Sequence, residues 1–141
     1  MLRELRDRDS ESGLLTSSSF YQGLLREVAR SERYGNKLSL IRVGLRGLET
    51  GTRGVVLPLA SKLADTIRTI DYAGRWSDSV FLLLLPETDA AGAQMLVDKL
   101  QEVVSDPEFA EHRDAGIQVD IDVAEWEQGE DASALLARIG A

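Results

Sequence analysis

Arg68-Thr69-Ile70-Asp71-Tyr72-Ala73-Gly74-Arg75-Trp76-Ser77-Asp78-Ser79-Val80-Phe81-Leu82-Leu83-Leu84-Leu85 is the stretch that decides the architecture. Residues 71–76 and 79–85 read as two strands, and Ser77-Asp78 between them suits a tight hairpin turn. Upstream, Val56, Leu59, Ala60, Leu63, Ala64 and Ile67 fall at helical spacing, with Pro58 tolerated in the first turn. Downstream, residues 86–89 open another helix, whose inward positions are Ala93, Leu96, Val97, Leu100, Val103 and Val104. A hairpin set between helices argues for a mixed sheet with helices packed on it.

The pattern continues outward. Residues 10–19 are Ser-rich and read as a loop that ends in a helix N-cap near Ser17 or Ser18. Phe20, Leu24, Leu25, Val28 and Ala29 give that helix its stripe, and Gly35-Asn36 closes it. Residues 38–45 read as a strand with Ile41, Val43 and Leu45 on one face, and Gly44, Gly47, Gly51 and Gly54 punctuate the loop after it. Residues 117–124 form a fourth strand and 131–139 a short final helix. The order is α-β-α-β-β-α-β-α, a ferredoxin-like or related α/β sandwich, with no internal repeat.

Composition sets bounds on function. A chain of 141 residues, 43% apolar and 28% charged, fits one globular domain with a real core. Residues 1–9 read as a charged lead-in and 10–141 as the domain. The absence of Cys excludes a disulfide framework, a thiolate metal site and a Cys nucleophile. The start has no apolar signal core, and the longest apolar run, 80–85, is far short of a membrane span. A cytoplasmic protein is expected. A net charge of −8 with no basic run disfavours nucleic-acid polymers and anionic membranes as partners. A small anionic ligand would need a local cluster of Arg or Lys.

The opening stretch resembles the signature of the GGDEF family, the domains that make cyclic di-GMP. There the pattern is R-x-x-D, five residues, then G-G-[DE]-E-F. Arg68 and Asp71 stand in the R-x-x-D places, residues 72–76 supply the spacer, and residues 77–81 carry Ser-Asp-Ser-Val-Phe, in which only Phe81 matches. Further blocks resemble the family in order and spacing: Asp9 to Leu14 followed by Phe20, then 29–40, then 81–88 (F-L-L-L-L-P-E-T), then 119–124. The resemblance covers about residues 9–139. It implies the nucleotide-cyclase palm, an α+β fold whose mixed central sheet carries an antiparallel hairpin and is flanked by helices.

The resemblance also implies what chemistry to look for. Cyclases of this family join two GTP molecules with metal ions held by carboxylates, which neutralise developing charge. The carboxylate places align with Gly44, Arg46, Ser79 and Val80, and the two signature glycines with Ser77 and Asp78. The N-D-x-x-G-H-x-x-G-D guanine-reading pattern is absent between Glu49 and Pro58, and the closing A-L-Y-x-A-K segment does not occur before Ala141. The expectation is no cyclase activity, no catalytic residue, no bound metal and no cofactor.

The R-x-x-D motif forms an inhibitory site for cyclic di-GMP in the family. Its Asp accepts hydrogen bonds from a guanine edge, and its Arg forks onto guanine acceptors or phosphate. Carried over, this makes Arg68 and Asp71 ligand-binding residues, with Lys99 added from the following helix and Arg75 reaching phosphate. Arg68 is expected to end a helix and Asp71 to start a strand. Arg6 and Asp9 share the spacing but stand out of register with the signature. Asp120 and Asp122 share a strand face, read as solvated; His112 reads as surface, Trp76 and Trp126 as core. Two functions follow: a cyclic di-GMP receptor signalling to a protein partner, with a ligand pair able to bridge a homodimer, or a nucleotide-independent protein-interaction module.

Overall fold

The computed structural model describes residues 7–48 and 53–141. Helix α1 (Ser17–Tyr34) is capped by Thr16, whose side chain accepts from the Ser19 amide, and ends where Gly35 takes φ 72°. Strand β1 (Leu38–Arg46) runs through Gly44 and one residue past the end read from the sequence. A 3-10 turn (Arg53–Val55) leads into α2 (Val56–Thr66), followed by β2 (Tyr72–Ser77) and β3 (Val80–Pro86). Asp89 caps α3 (Ala90–Val104), and Asp131 caps α5 (Ala132–Ile139) after β4 (Gln118–Glu125). A 3-10 turn (Pro107–Phe109) and the short α4 (Ala110–Asp114) fill a segment where the sequence shows no stripe. Of the glycine-punctuated loop and the lead-in, residues 49–52 and 1–6 lie outside the described residues.

The sheet order is β2-β3-β1-β4. All these strand pairs are antiparallel; the parallel component is one bridge, Leu15 to Gly74, on the outer side of β2. The hairpin turn is Asp78-Ser79, one residue later than the sequence suggests, because the register shifts between Arg75 and Ser77.

Both sheet faces are covered, which explains the uninterrupted apolar run in β3. Phe81, Leu83 and Leu85 pack with Ile41, Val43 and Leu45 against Leu59, Leu63, Val97 and Leu100 of α2 and α3. Leu82 and Leu84 point the other way, to Phe20 and Leu24 of α1 and to Leu135 and Leu136 of α5. A strand buried on both sides loses the alternation of a half-exposed one. Each fully buried Leu or Phe contributes about 1.5–3 kcal/mol. Trp126 is core as expected, its indole donating to the Glu130 carbonyl at 2.8 Å, while Trp76 lies at the edge of the second cluster.

Candidate functional site

Helix α2 stops at Thr66 because Ile67 turns extended. Arg68 therefore belongs to the connection, not to the helix, and Asp71 precedes β2 rather than starting it. Residues 68–71 form a turn in which the Asp71 amide donates to the Arg68 carbonyl at 3.0 Å. The Asp71 carboxylate closes the turn from the other side. Its Oδ2 accepts from the Arg68 backbone amide at 2.8 Å and from Arg68 Nε at 3.2 Å, and its Oδ1 from Arg68 Nη2 at 2.9 Å. The motif is thus a bidentate clasp made within the chain. The hydrogen bond to Asp71 holds the Arg68 guanidinium above its ordinary value, against the opposing effect of burial.

Arg68 also fastens the turn after β3. Nη2 donates to the Pro86 carbonyl at 2.9 Å and to Thr88 Oγ1 at 2.8 Å, and Thr88 Oγ1 donates to the same carbonyl at 3.0 Å. Ser39, fully buried on β1, donates to the Thr88 carbonyl at 2.8 Å. Between these anchors Glu87 has φ 54°, the one non-glycine residue with positive φ among those described.

Beside the clasp lies an open cleft of about 540 Å³. Arg68, Asp71 and Lys99 all line it, so three of the four sequence-assigned site residues come together. Lys37, Glu87 and Thr88 join them, and Met95, Leu85 and Leu96 give an apolar wall. The sequence reading missed Lys37, Glu87 and Thr88. The charged Glu87 inside the turn Pro86-Glu87-Thr88, at the end of an apolar strand, was the signal available.

Arg75, the fourth residue assigned from the sequence, is elsewhere and does not line this cleft. It is 8% exposed, with its guanidinium 5.5 Å from the Phe81 ring. Nη1 donates to Asp9 Oδ2 at 3.1 Å and Glu11 Oε1 at 2.8 Å, Nε to the Ser77 carbonyl at 3.2 Å, and Nη2 to the Asp78 carbonyl at 2.6 Å. Arg53 completes the cluster by forking onto Glu11 (Nε at 3.1 Å, Nη2 at 2.7 Å) and Asp78 (Nη1 at 3.0 Å, Nη2 at 2.7 Å). Hydrogen bonds from Arg53, then Arg75, depress the Glu11 carboxyl, and those from Arg53 depress Asp78. Burial pushes Asp9 up, but hydrogen bonds from Ser12 and Arg75 together bring it below its ordinary value.

This cluster surrounds the hairpin where the signature carboxylates would stand. Gly44, on β1, pairs with Val80 of β3 and Asp120 of β4. A Cβ at Gly44 would lie 2.9 Å from Arg42 Nη1, so a guanidinium occupies the space above it. Arg42 in turn reaches Asp122 at 3.4 Å, and Arg46 reaches Asp120 at 2.8 Å. Asp120 and Asp122 are therefore cross-strand ion-pair partners. Among the described residues no group of three or more His, Asp or Glu side chains could hold a metal ion. Hard divalent ions need oxygen ligands; Gly44, Ser79 and Val80 bring one hydroxyl and no carboxylate, and do not fit such an ion. His112 is half-buried, its ring 6.0 Å from Phe109.

The family model of the diguanylate cyclase, GGDEF domain, matches residues 7–140. The chain belongs to the GGDEF domain family. Solved structures similar to this GGDEF domain agree in fold at low identity. The GGDEF domain of DgcB from Caulobacter crescentus, in complex with c-di-GMP, superposes with a TM-score of 0.83 at 19% identity, covering 95% of this chain and 83% of that one. The diguanylate cyclase SiaD, in complex with its activator SiaC from Pseudomonas aeruginosa, gives 0.80 at 23% identity, covering 98% of this chain and 56% of that one. The GGDEF domain of FimX from Pseudomonas aeruginosa gives 0.80 at 17% identity, covering 94% of this chain and 88% of that one. No curated protein matches the chain. Among the described residues, no helix of this GGDEF domain is long and apolar enough to cross a membrane.

Proposed function

We propose that this GGDEF domain is a non-catalytic receptor that binds cyclic di-GMP in the cleft beside Arg68 and Asp71 and signals to a protein partner. The observation that carries this is the convergence of the Arg68–Asp71 clasp and Lys99 on one cleft. Its volume falls within the range of small-molecule sites, about 300–1,000 Å³. The absence of catalysis rests on the side chains around the hairpin: Gly44, Ser79 and Val80 supply no carboxylate, and Arg42 and Arg53 bring positive charge there.

Micromolar binding needs about 8 kcal/mol. A charge-assisted hydrogen bond contributes about 1.5–3 kcal/mol, so Arg68 alone is insufficient. Lys99 and Lys37 add cations for phosphate, and the exposed Met95 offers an apolar surface for a base. DgcB was solved with c-di-GMP and SiaD with an activator protein, which makes both classes of partner reasonable for a relative of the same fold.

Two measurements test the proposal. Incubation with GTP and magnesium should yield no cyclic di-GMP; turnover would refute the non-catalytic reading. Calorimetry should show cyclic di-GMP binding that Arg68→Ala weakens about 10- to 150-fold. The second reading, nucleotide-independent docking to a protein, draws on the Asp71 carboxylate being already engaged by Arg68. Silent calorimetry with the wild-type chain would favour it.

A further inference from the structure

We propose that Glu87 is the carboxylate that reads guanine in this cleft, and that Asp71 is a positioning residue that fixes Arg68. This rests on the cyclic di-GMP reading of the same cleft. The Asp71 side chain is 2% exposed, and its two oxygens already receive three donors from Arg68. A guanine edge offered to it would have to displace the clasp that shapes the cleft.

Glu87 has the opposite circumstances. Its side chain is 52% exposed, it lines the cleft, and among the described residues its one ion pair is a loose contact with Arg30 at 3.7 Å. The backbone on either side is pinned: Pro86 and Thr88 are both tied to Arg68, and the Thr88 carbonyl to Ser39. The turn therefore holds Glu87 at φ 54°. Gly or Asn would occupy that conformation at lower cost. Strain of this kind persists where the surroundings over-determine it, and it concentrates at ligand clamps.

The chemistry suits one base. Guanine presents N1–H and the N2 amino group side by side as two donors, which one carboxylate accepts together. Adenine presents an unprotonated N1 at that edge, which a carboxylate repels. Arg68 keeps Nη1, which makes no hydrogen bond to a described residue, for a phosphate oxygen, a group that both purine dinucleotides share. Lys99, which also lines the cleft, suits a phosphate as well.

The test is calorimetry on the full chain with cyclic di-GMP and its adenine counterpart, cyclic di-AMP. The wild-type chain should prefer the guanine dinucleotide. Glu87→Gln should cut that preference at least tenfold, mainly by weakening the guanine ligand. Asp71→Asn should weaken both ligands alike and leave their ratio unchanged. A preserved ratio in Glu87→Gln, or a collapsed one in Asp71→Asn, overturns the inference while leaving the receptor reading standing. Binding of neither ligand by the wild-type chain overturns the receptor reading and this inference with it. Glu87→Gln replaces an exposed side chain, so it decides the matter even if Asp71→Asn does not fold.

Discussion

Arg75 Nη1 donates to Glu11 Oε1 at 2.8 Å, a contact that spans 64 positions and ties the segment ahead of α1 to the β2–β3 hairpin. Because Arg75 is nearly buried while Asp9 and Glu11 are partly exposed, removing it leaves acids that water can still reach. Arg75→Ala should therefore destabilise the fold by about 1–3 kcal/mol, measured by urea denaturation. Arg75→Lys should recover only part, since an ammonium cannot reach the Ser77 and Asp78 carbonyls in the same fork. Neither folded variant should alter cyclic di-GMP affinity; a loss would put Arg75 back in the binding site.

The same cluster predicts an acid limb in stability. Asp9, Glu11 and Asp78 all have carboxyls depressed in the fold. In the unfolded chain they take up protons first as the pH falls, at ordinary values of 3.8 for Asp and 4.5 for Glu. Their stabilisation is therefore complete above about pH 5 and is lost as the pH falls through the depressed values. Glu11→Gln should lower the stability plateau at neutral pH and flatten this limb. Denaturation midpoints at stepped pH would show it, and an unchanged slope would contradict the network.

Glu87→Gly should stabilise the protein, since glycine accepts φ 54° without a Cβ clash. A left-handed residue costs about 1–2 kcal/mol, and glycine gives back about 0.5–1 kcal/mol through chain entropy. A net gain of a few tenths to about 1 kcal/mol is expected, seen as a higher Tm, together with loss of guanine preference. A lower Tm would mean that the turn is relaxed with its glutamate.

Gly74 brings β2 against α1. A Cβ there would sit 2.8 Å from Phe20 Cβ and Cδ2, both held in a packed core. Gly74→Ala should cost about 1–3 kcal/mol through overpacking. Gly54→Ala, where a Cβ meets nothing within 4 Å, is the matched control and should be near neutral. Thermal unfolding of both variants compares them directly.

Most helices and strands were legible from their period, with Phe20, Leu24 and Val28 on α1, Leu59 and Leu63 on α2 and Ile41 and Val43 on β1, and β3 from its apolar run beside a turn. Their caps were legible to within a residue or two, from Gly35, Asp89 and Asp131. The 107–114 segment was not, since only Phe109 there is buried. The spacing of Arg68 and Asp71 placed them together, but spacing does not say whose hydrogen bonds they satisfy. The surroundings of Arg75 were not legible, because Asp9 and Glu11 lie more than sixty positions away, beyond any local pattern. Glu87 escaped notice because its conformation is dictated by anchors on Ser39 and Arg68 rather than by its neighbours.

The Leu15–Gly74 bridge gives β2 a second neighbour, with the Leu15 amide donating to Ala73 and the Arg75 amide to Leu15. Foreign strands thus find the middle of that margin already taken, whereas the outer edge of β4 pairs with no described strand. Asp120 and Asp122 stand along it. Two copies meeting there would have to accommodate the charged Arg42–Asp122 and Arg46–Asp120 pairs, a built-in deterrent to fibre-like stacking.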